Sequence, residues 1–529
     1  MTRRSRTGWG AALVAALGLS MAACSGPSDP APTPSDPQIT AAPTATAAPD
    51  LSTFYSQQPT WTDCDDDFRC TKVMVPLDYD NPAAGSVQLA VVRRAAKDDS
   101  RGALVVNPGG PGGSGVQYAR AADIIVSKKV AAAYDIVGFD PRGVGTSDPV
   151  DCVEDATMDV LYAADPTPDD EIETNQLVAR SKAIGAGCAG AGELAKHVDT
   201  VSAARDLDIL RAALRDDQLN FLGKSYGSTL GARYAELFPD RVGRFVLDGI
   251  LPADLTSEEL SQGQAAGFED ALRQFVTWCI TDADCPLPRD VEGGLARIRT
   301  LLADLDRQPL PGIGNTALTE GLGTLAVAYL LYQPPADWVS LEYGLEAALQ
   351  GDGSALLDML DDRLDRTSDG RYLTNSNDAF FAVSCLDRPA SGGAKEAAAL
   401  AQQWATVAPT FGKSFAWSGL PCHEWPLGSV APPGQDITDL QPVRAEGAGP
   451  ILVVSTRHDP ATPYQWGVTV AGDLASGHLL TFEGDGHTAY RAGSGCIDSA
   501  VDAYLLDGTL PAAGASCPSI TAQYADMIQ

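Results

Sequence analysis

Leu219-Asn220-Phe221-Leu222-Gly223-Lys224-Ser225-Tyr226-Gly227 is an apolar run that ends in glycine, presents a serine and meets a second glycine. Residues 228–238 continue with helical character, so the stretch reads as strand, tight turn, helix. In that context Gly-x-Ser-x-Gly carries a mechanism, because small residues beside the serine let the backbone make a strained turn that pushes the hydroxyl out of the sheet. The pentapeptide alone is a modest signal in a chain with 52 glycines, so its partners have to be found elsewhere.

Working outward, residues 103–107, 134–140 and 244–248 are further short apolar runs. Helical stretches such as 201–214 separate them, the alternation that predicts a parallel sheet in an α/β protein. Upstream, residues 73–79 and 87–95 read as an antiparallel pair joined through Asn81-Pro82 and Ala84-Gly85. Downstream, strand patterns resume only at 450–456 and 478–484. Residues 251–445 between them show helical patterns at 257–281, 291–306, 336–349 and 395–406. They predict a mostly helical cap inserted into one core, whose two parts are residues 56–250 and 446–529.

The amino end reads differently. Residues 1–23 carry Arg3, Arg4 and Arg6, an apolar stretch from Ala11 to Leu19, and small residues up to Ala22-Ala23-Cys24. This pattern is a bacterial export signal, too short to span a bilayer as a mature helix. Its ending resembles a lipoprotein processing site, with Met21 where leucine is more usual, and predicts lipidation of Cys24 and attachment to a membrane. Cleavage near Ala23 to release a soluble enzyme is the alternative. Residues 24–55 are mainly Ser, Pro, Thr, Ala and Asp, an extended tether.

The net charge of −32 excludes nucleic acid as an expected partner. Of 11 cysteines, those other than Cys24 are even in number, which in an exported chain points to disulfides. Local pairing suggests Cys64 with Cys70, Cys152 with Cys188, Cys279 with Cys285, Cys385 with Cys422, and Cys496 with Cys517, though sequence leaves the connectivity open. The five histidines show no metal-ligand spacing, and neither metal nor cofactor is expected.

A serine nucleophile needs a base and a carboxylate to orient that base. His487, in Gly484-Asp485-Gly486-His487 after the last strand pattern, is the favoured base, with His458 as its rival. The acid should follow a strand between serine and histidine. Asp459 does so, in Asp459-Pro460-Ala461-Thr462-Pro463 after the run 451–455; Asp485 is the alternative. For the oxyanion hole, Tyr226 N–H follows the nucleophile, and Gly110 N–H comes from Asn107-Pro108-Gly109-Gly110-Pro111-Gly112-Gly113-Ser114-Gly115, with Gly109 as the near alternative. The same loop contains Gly110, Gly112 and Gly115 with Asp135 beyond, a dinucleotide-binding spacing. Pro111 argues against that reading by removing an N–H that would cradle phosphate. Asp140 and Arg142, in Phe139 to Ser147, are expected to pin loops.

These segments, together with Leu247-Asp248-Gly249, Ser384-Cys385 and Cys422-His423-Glu424-Trp425-Pro426, resemble exported actinobacterial α/β-hydrolases of the tripeptidyl aminopeptidase group, related to prolyl aminopeptidases. The chain is similar also to mycobacterial cell-envelope lipoprotein proteases, which have been described as carboxylesterases too. The resemblance implies an α/β-hydrolase fold and serine-dependent removal of short peptides, of tripeptide length, from free amino termini. Peptides or proteins are then the substrates, and a monomer is expected. Asn107-Pro108 stands where prolyl aminopeptidases usually carry histidine, so single-residue proline specificity is not implied. Holding an α-ammonium calls for a carboxylate; if Cys385 pairs with Cys422, Asp387 and Glu424 are brought close and become the candidate amine anchor, with Glu258, Glu259, Glu269 and Asp270 next.

Overall fold

Short apolar strands separated by helices need cover on both faces, and the computed structural model shows how they obtain it. It describes residues 50–65 and 67–520; the export signal, Cys24 and residues 24–49 of the predicted tether lie outside the described residues. The tether ends earlier than the sequence indicated. Asp50 caps a short helix, Leu51–Tyr55, whose Phe54 is buried and whose Tyr55 hydroxyl donates to Asp208 at 2.5 Å.

The strands are β1 (Thr62–Asp65), β2 (Phe68–Pro76), β3 (Ser86–Arg94), β4 (Ala103–Asn107), β5 (Asp135–Phe139), β6 (Leu219–Lys224), β7 (Val242–Asp248), β8 (Ile451–His458), β9 (Gly477–Asp485) and β10 (Ser516–Pro518). They form one sheet in the order β1-β2-β3-β5-β4-β6-β7-β8-β9-β10. The pairings are antiparallel from β1 to β5 and parallel from β5 through β4 to β10. The sequence reading missed β1 and β10, which are short and lack an apolar run.

Alternation along the central strands sorts their side chains into two cores, as expected of a sheet buried on both faces. Val105, Phe221, Phe245 and Val453 join one cluster, beneath helices Thr200–Leu214 and Tyr226–Leu237. Leu104, Val106, Leu222, Val246, Leu452 and Val454 join the other, covered by helix Gly495–Asp507 and the short helices after β4.

Helices from Ser257 to His423 fill the interval between β7 and β8. They have an apolar core of their own, built around Phe275, Leu295, Leu302 and Trp338. Helices Glu320–Leu331, Ser354–Arg363 and Ser376–Asp387 in this layer escaped the sequence reading. A second excursion, between β5 and β6, joins the same layer: Arg366 binds Asp159 at 2.7 and 2.8 Å, and Tyr162 donates to Asn377 Oδ1 at 2.9 Å. The cysteines from Cys64 onward pair as Cys64–Cys70, Cys152–Cys188, Cys279–Cys285, Cys385–Cys422 and Cys496–Cys517. Among the described residues no helix is long and apolar enough to cross a membrane.

Arg142 and Asp140 pin loops, but through separate partners. The Arg142 guanidinium donates to both oxygens of Asp206, at 2.7 and 2.6 Å, and to the carbonyls of Pro76, Leu77 and His197. Asp140 accepts from Ser114 Oγ, Val116 N and Thr146 N instead. Both side chains of the Arg142–Asp206 pair are 0% exposed. Removing one partner of such a pair strands a buried charge. Asp206→Ala is therefore expected to lower unfolding free energy by about 3–5 kcal/mol, read from denaturant midpoints at constant slope.

Candidate active site

The carboxyl end of β6 delivers Ser225 into a left-handed conformation, φ 54° and ψ −129°. A non-glycine residue is held there only when its surroundings over-determine it. Ser225 N–H donates to Asp248 O at 2.9 Å, and its own carbonyl accepts from Ser228 N at 2.8 Å. The flanking glycines are required by backbone contact. A Cβ on Gly223 would lie 2.3 Å from Gly227 O, and one on Gly227 would lie 2.6 Å from Asn107 O. The turn is thus packed against the end of β4, which opens the glycine-rich loop.

In that loop Asn107 Oδ1 accepts from Gly109 N–H at 2.9 Å, and Gly109 O accepts from Gly113 N–H at 3.1 Å. Of the two candidate donors, Gly109 N–H is thereby occupied, whereas Gly110 N–H has no hydrogen-bond partner among the described residues. A Cβ on Gly109 would come within 2.9 Å of Ser225 Cβ and 3.0 Å of Tyr226 N. The loop therefore lies against the serine and against the amide that follows it. Tyr226 N–H opens its helix, where the first amides have no partner within the helix. The other loop glycines are consumed by packing. Gly112 abuts Ser376 O of the cap and Gly115 abuts Phe139 O of β5, while Asp135 is engaged by Ala96 N and Arg93. The dinucleotide spacing is accounted for without a nucleotide.

His487 and Asp459 meet beyond β9 and β8. His487 Nδ1 donates to Asp459 Oδ1 at 2.8 Å, with Oδ2 at 3.0 Å. The carboxylate, 2% exposed, also accepts from Ala461 N, Thr462 N, Thr462 Oγ1 and Thr488 N. Asp485 is not on the imidazole; it lies opposite His458 in the β8–β9 ladder. His458 instead contacts Asp270 of the cap. The Nε2 of His487 is buried and has no hydrogen-bond partner among the described residues. No bond to Ser225 is formed here, as is common before a substrate draws base and nucleophile together.

Several residues that the sequence reading missed hold histidine and serine in register. Asp248, at the end of β7, accepts from the N–H groups of Ala489 and Tyr490. Lys224, immediately before the serine, donates to Tyr490 O at 2.6 Å and Thr488 Oγ1 at 3.3 Å. Burial lowers the Lys224 pKa, opposed by Asp248; burial raises that of Asp248, opposed by Lys224. From the cap, Tyr332 O accepts from His487 N–H at 2.9 Å, and the Tyr332 ring stands edge-on to the imidazole with centroids 5.0 Å apart. Leu247-Asp248-Gly249 had offered a signal, an acid at the end of a buried strand. Tyr332 had none.

Asp387 and Glu424 do not share a partner. Asp387 accepts from Thr200 N at 2.9 Å and Thr200 Oγ1 at 2.5 Å, and that hydroxyl meets Tyr226 OH at 2.6 Å. Glu424 faces Lys182 at 3.7 Å. Of the next acids, Glu258 caps Ser391, Glu259 closes the capping box of Thr256, and Glu269 binds Thr410.

A strand-borne serine on a strained turn, a glycine-rich loop packed against it and a carboxylate-bound histidine define the serine hydrolase class on an α/β scaffold. The comparisons with known proteins agree. A family model described as "alpha/beta hydrolase fold" matches residues 102–293, and one described as "TAP-like protein" matches residues 408–517. The chain is 38% identical to serine protease Hip1 of Mycobacterium tuberculosis, covering 85% of this chain and 87% of that one. It is 37% identical to carboxylesterase B of the same organism, over 85% and 86%. It is 32% identical to the tripeptidyl aminopeptidase of Streptomyces lividans, over 86% of each chain. The chain belongs to the α/β-hydrolase family, in the group that contains these proteins, and is a serine peptidase.

Burial holds the Asp387 carboxyl at a pKa of about 6, above the usual 3.8. The folded protein then keeps a proton that the unfolded chain has already released, so stability falls as pH rises from about 4 to about 6. Asp387→Asn is expected to remove that slope, measured as urea midpoints across this window.

Proposed function

We propose that this serine peptidase acts outside the cytoplasm, where it removes short peptides of tripeptide length from free amino termini through an acyl-enzyme. The arrangement that carries the reading is the Asp459–His487 pair at 2.8 Å beside a serine held at φ 54°, covered by helices of the cap. In this reading Ser225 Oγ attacks the scissile carbonyl carbon while His487 Nε2 takes its proton. Asp459 holds the imidazole by Nδ1 and stabilises its charged form. Gly110 and Tyr226 N–H groups receive the oxyanion. His487 then gives the proton to the departing amine as the C–N bond breaks, and activates a water that hydrolyses the serine ester.

The cap supports a peptidase that approaches chain ends, because Tyr332 and the turn at Ser376 sit directly on the histidine and the oxyanion loop. Asp387 is the proposed amine anchor, being linked through Thr200 to the side chain of Tyr226; Glu424 is already faced by Lys182. Five disulfides support an oxidising compartment. Export by the leader, with attachment through a lipid on Cys24, is the route proposed. Peptides or proteins are its substrates, nucleic acid is not a partner, and the protein works as a monomer. The similarity to a carboxylesterase gives a second reading, an envelope esterase that uses the same three residues.

A fluorogenic Ala-Ala-Ala substrate with a free amine, its N-blocked twin and a short-chain p-nitrophenyl ester separate these readings. The free tripeptide is expected to be preferred, and Asp387→Asn to raise its KM. Better turnover of the blocked peptide means endopeptidase action, and turnover of the ester alone means an esterase. Ser225→Ala is expected to reduce kcat by on the order of 10⁶-fold with the fold intact by circular dichroism; retained activity rejects the assignment.

A further inference from the structure

The loop that carries Asp459 is touched by the cap as closely as protein backbones allow. Helix Ser257–Cys279 crosses it with two glycines at the crossing. A Cβ on Gly267 would lie 2.5 Å from Pro460 O and 3.2 Å from Asp459 O, and one on Gly263 would lie 2.3 Å from the Trp466 ring. Between them, Gln264 Nε2 donates to Ala461 O at 3.0 Å. At the end of this contact His458, one residue before the acid, meets Asp270 of the same helix through Nδ1 and Oδ2 at 2.7 Å. Core and cap are thus joined, beside the carboxylate, by an ion pair that exists only while an imidazole is protonated.

We propose that helix Ser257–Cys279 is a positioning element for the acid loop and that His458–Asp270 is its pH-sensitive latch. While His458 is charged the helix holds Asp459 squarely on His487; when it is neutral the loop relaxes and turnover falls. This rests on the assignment of Ser225, Asp459 and His487. Gly267, Asp270 and His458 are positioning residues and act only through Asp459.

The groups facing His458 favour its charged form. Asp270 comes from the cap helix and Asp485 from the end of β9, while Arg457 on its own strand is engaged by Glu483 at 2.8 Å through two bonds. The bond to Asp270 is the main cause that raises the His458 pKa, against the opposing effect of burial. The pair is therefore complete below the ordinary histidine pKa and is lost as pH rises through the raised one. Turnover should therefore decline as His458 loses its proton. The His458 and Asp270 side chains are 31% and 44% exposed, so salt will weaken the latch.

The test is kcat and KM of the full chain from about pH 5 to about pH 9, on whichever of the three substrates above the wild type turns over. Wild type, Asp270→Asn and His458→Lys are compared, with Asp270→Glu as the conservative rescue. Asp270→Asn is expected to lose up to about fivefold in kcat on the acid side of the His458 titration, to show no further alkaline decline, and to leave KM unchanged. His458→Lys keeps a cation at all these pH values, so its kcat should match wild type near pH 6 and stay level beyond it. Asp270→Glu should restore the alkaline decline. If His458→Lys and Asp270→Asn both trace the wild-type profile, or if KM changes while kcat does not, the latch is rejected. Activity retained in Ser225→Ala would instead reject the triad on which it is built.

Discussion

Ser225 can occupy its left-handed turn because three backbones converge on it with nothing in the way. Gly223 and Gly227 face each other too closely for any side chain, Gly227 lies on Asn107, and Gly109 lies on Lys224 O and Ser225 itself. The turn's N–H is taken by Asp248 of the next strand, so β4, β6 and β7 together hold a conformation that a serine would not choose alone. The same packing lays Gly109 against Ser225 Cβ and Tyr226 N, so the glycine-rich loop and the serine turn are held by one close contact.

The histidine is secured by a different device. Asp459 collects four donors besides the imidazole, which fixes the orientation of the carboxylate and of the ring it holds. Asp248 and Lys224 then tie the residues after His487 back to the strand ends that flank the serine. Buried acid and buried lysine each oppose the other's desolvation, and the charged pair costs less than either group alone.

The cap belongs to this machinery. It touches the histidine through Tyr332, the glycine-rich loop through Ser376 and the acid loop through Gly267. Its own apolar core around Phe275 and Trp338 gives it the rigidity to serve in this way. The excursion at 155–190, stapled by Cys152–Cys188, ties the cap to the sheet from the other side.

Much of this was legible from local pattern. The strand-turn-helix around Ser225 is written in contiguous residues, because the glycines, the apolar run and the serine all act within one turn. Asp459 and His487 were legible for a similar reason, each lying just past a buried strand where a loop must emerge at the carboxyl edge of a parallel sheet. Glycine spacing alone is ambiguous: Gly110, Gly112 and Gly115 mimic a phosphate loop, Pro111 argues against that reading, and contact with Ser376 O and Phe139 O shows what Gly112 and Gly115 pack against. The tether ends earlier than composition indicates because Phe54 and Tyr55, which dock the segment, do not stand out in a run judged by composition. What the sequence determined by itself was therefore the order and chemistry of the strand ends, since strand periodicity and turn residues are local. Which glycine amide stays free, why Asp387 sits behind Tyr226 and how His458 meets Asp270 were decided by the tertiary structure alone, because each depends on a contact between residues far apart in the chain.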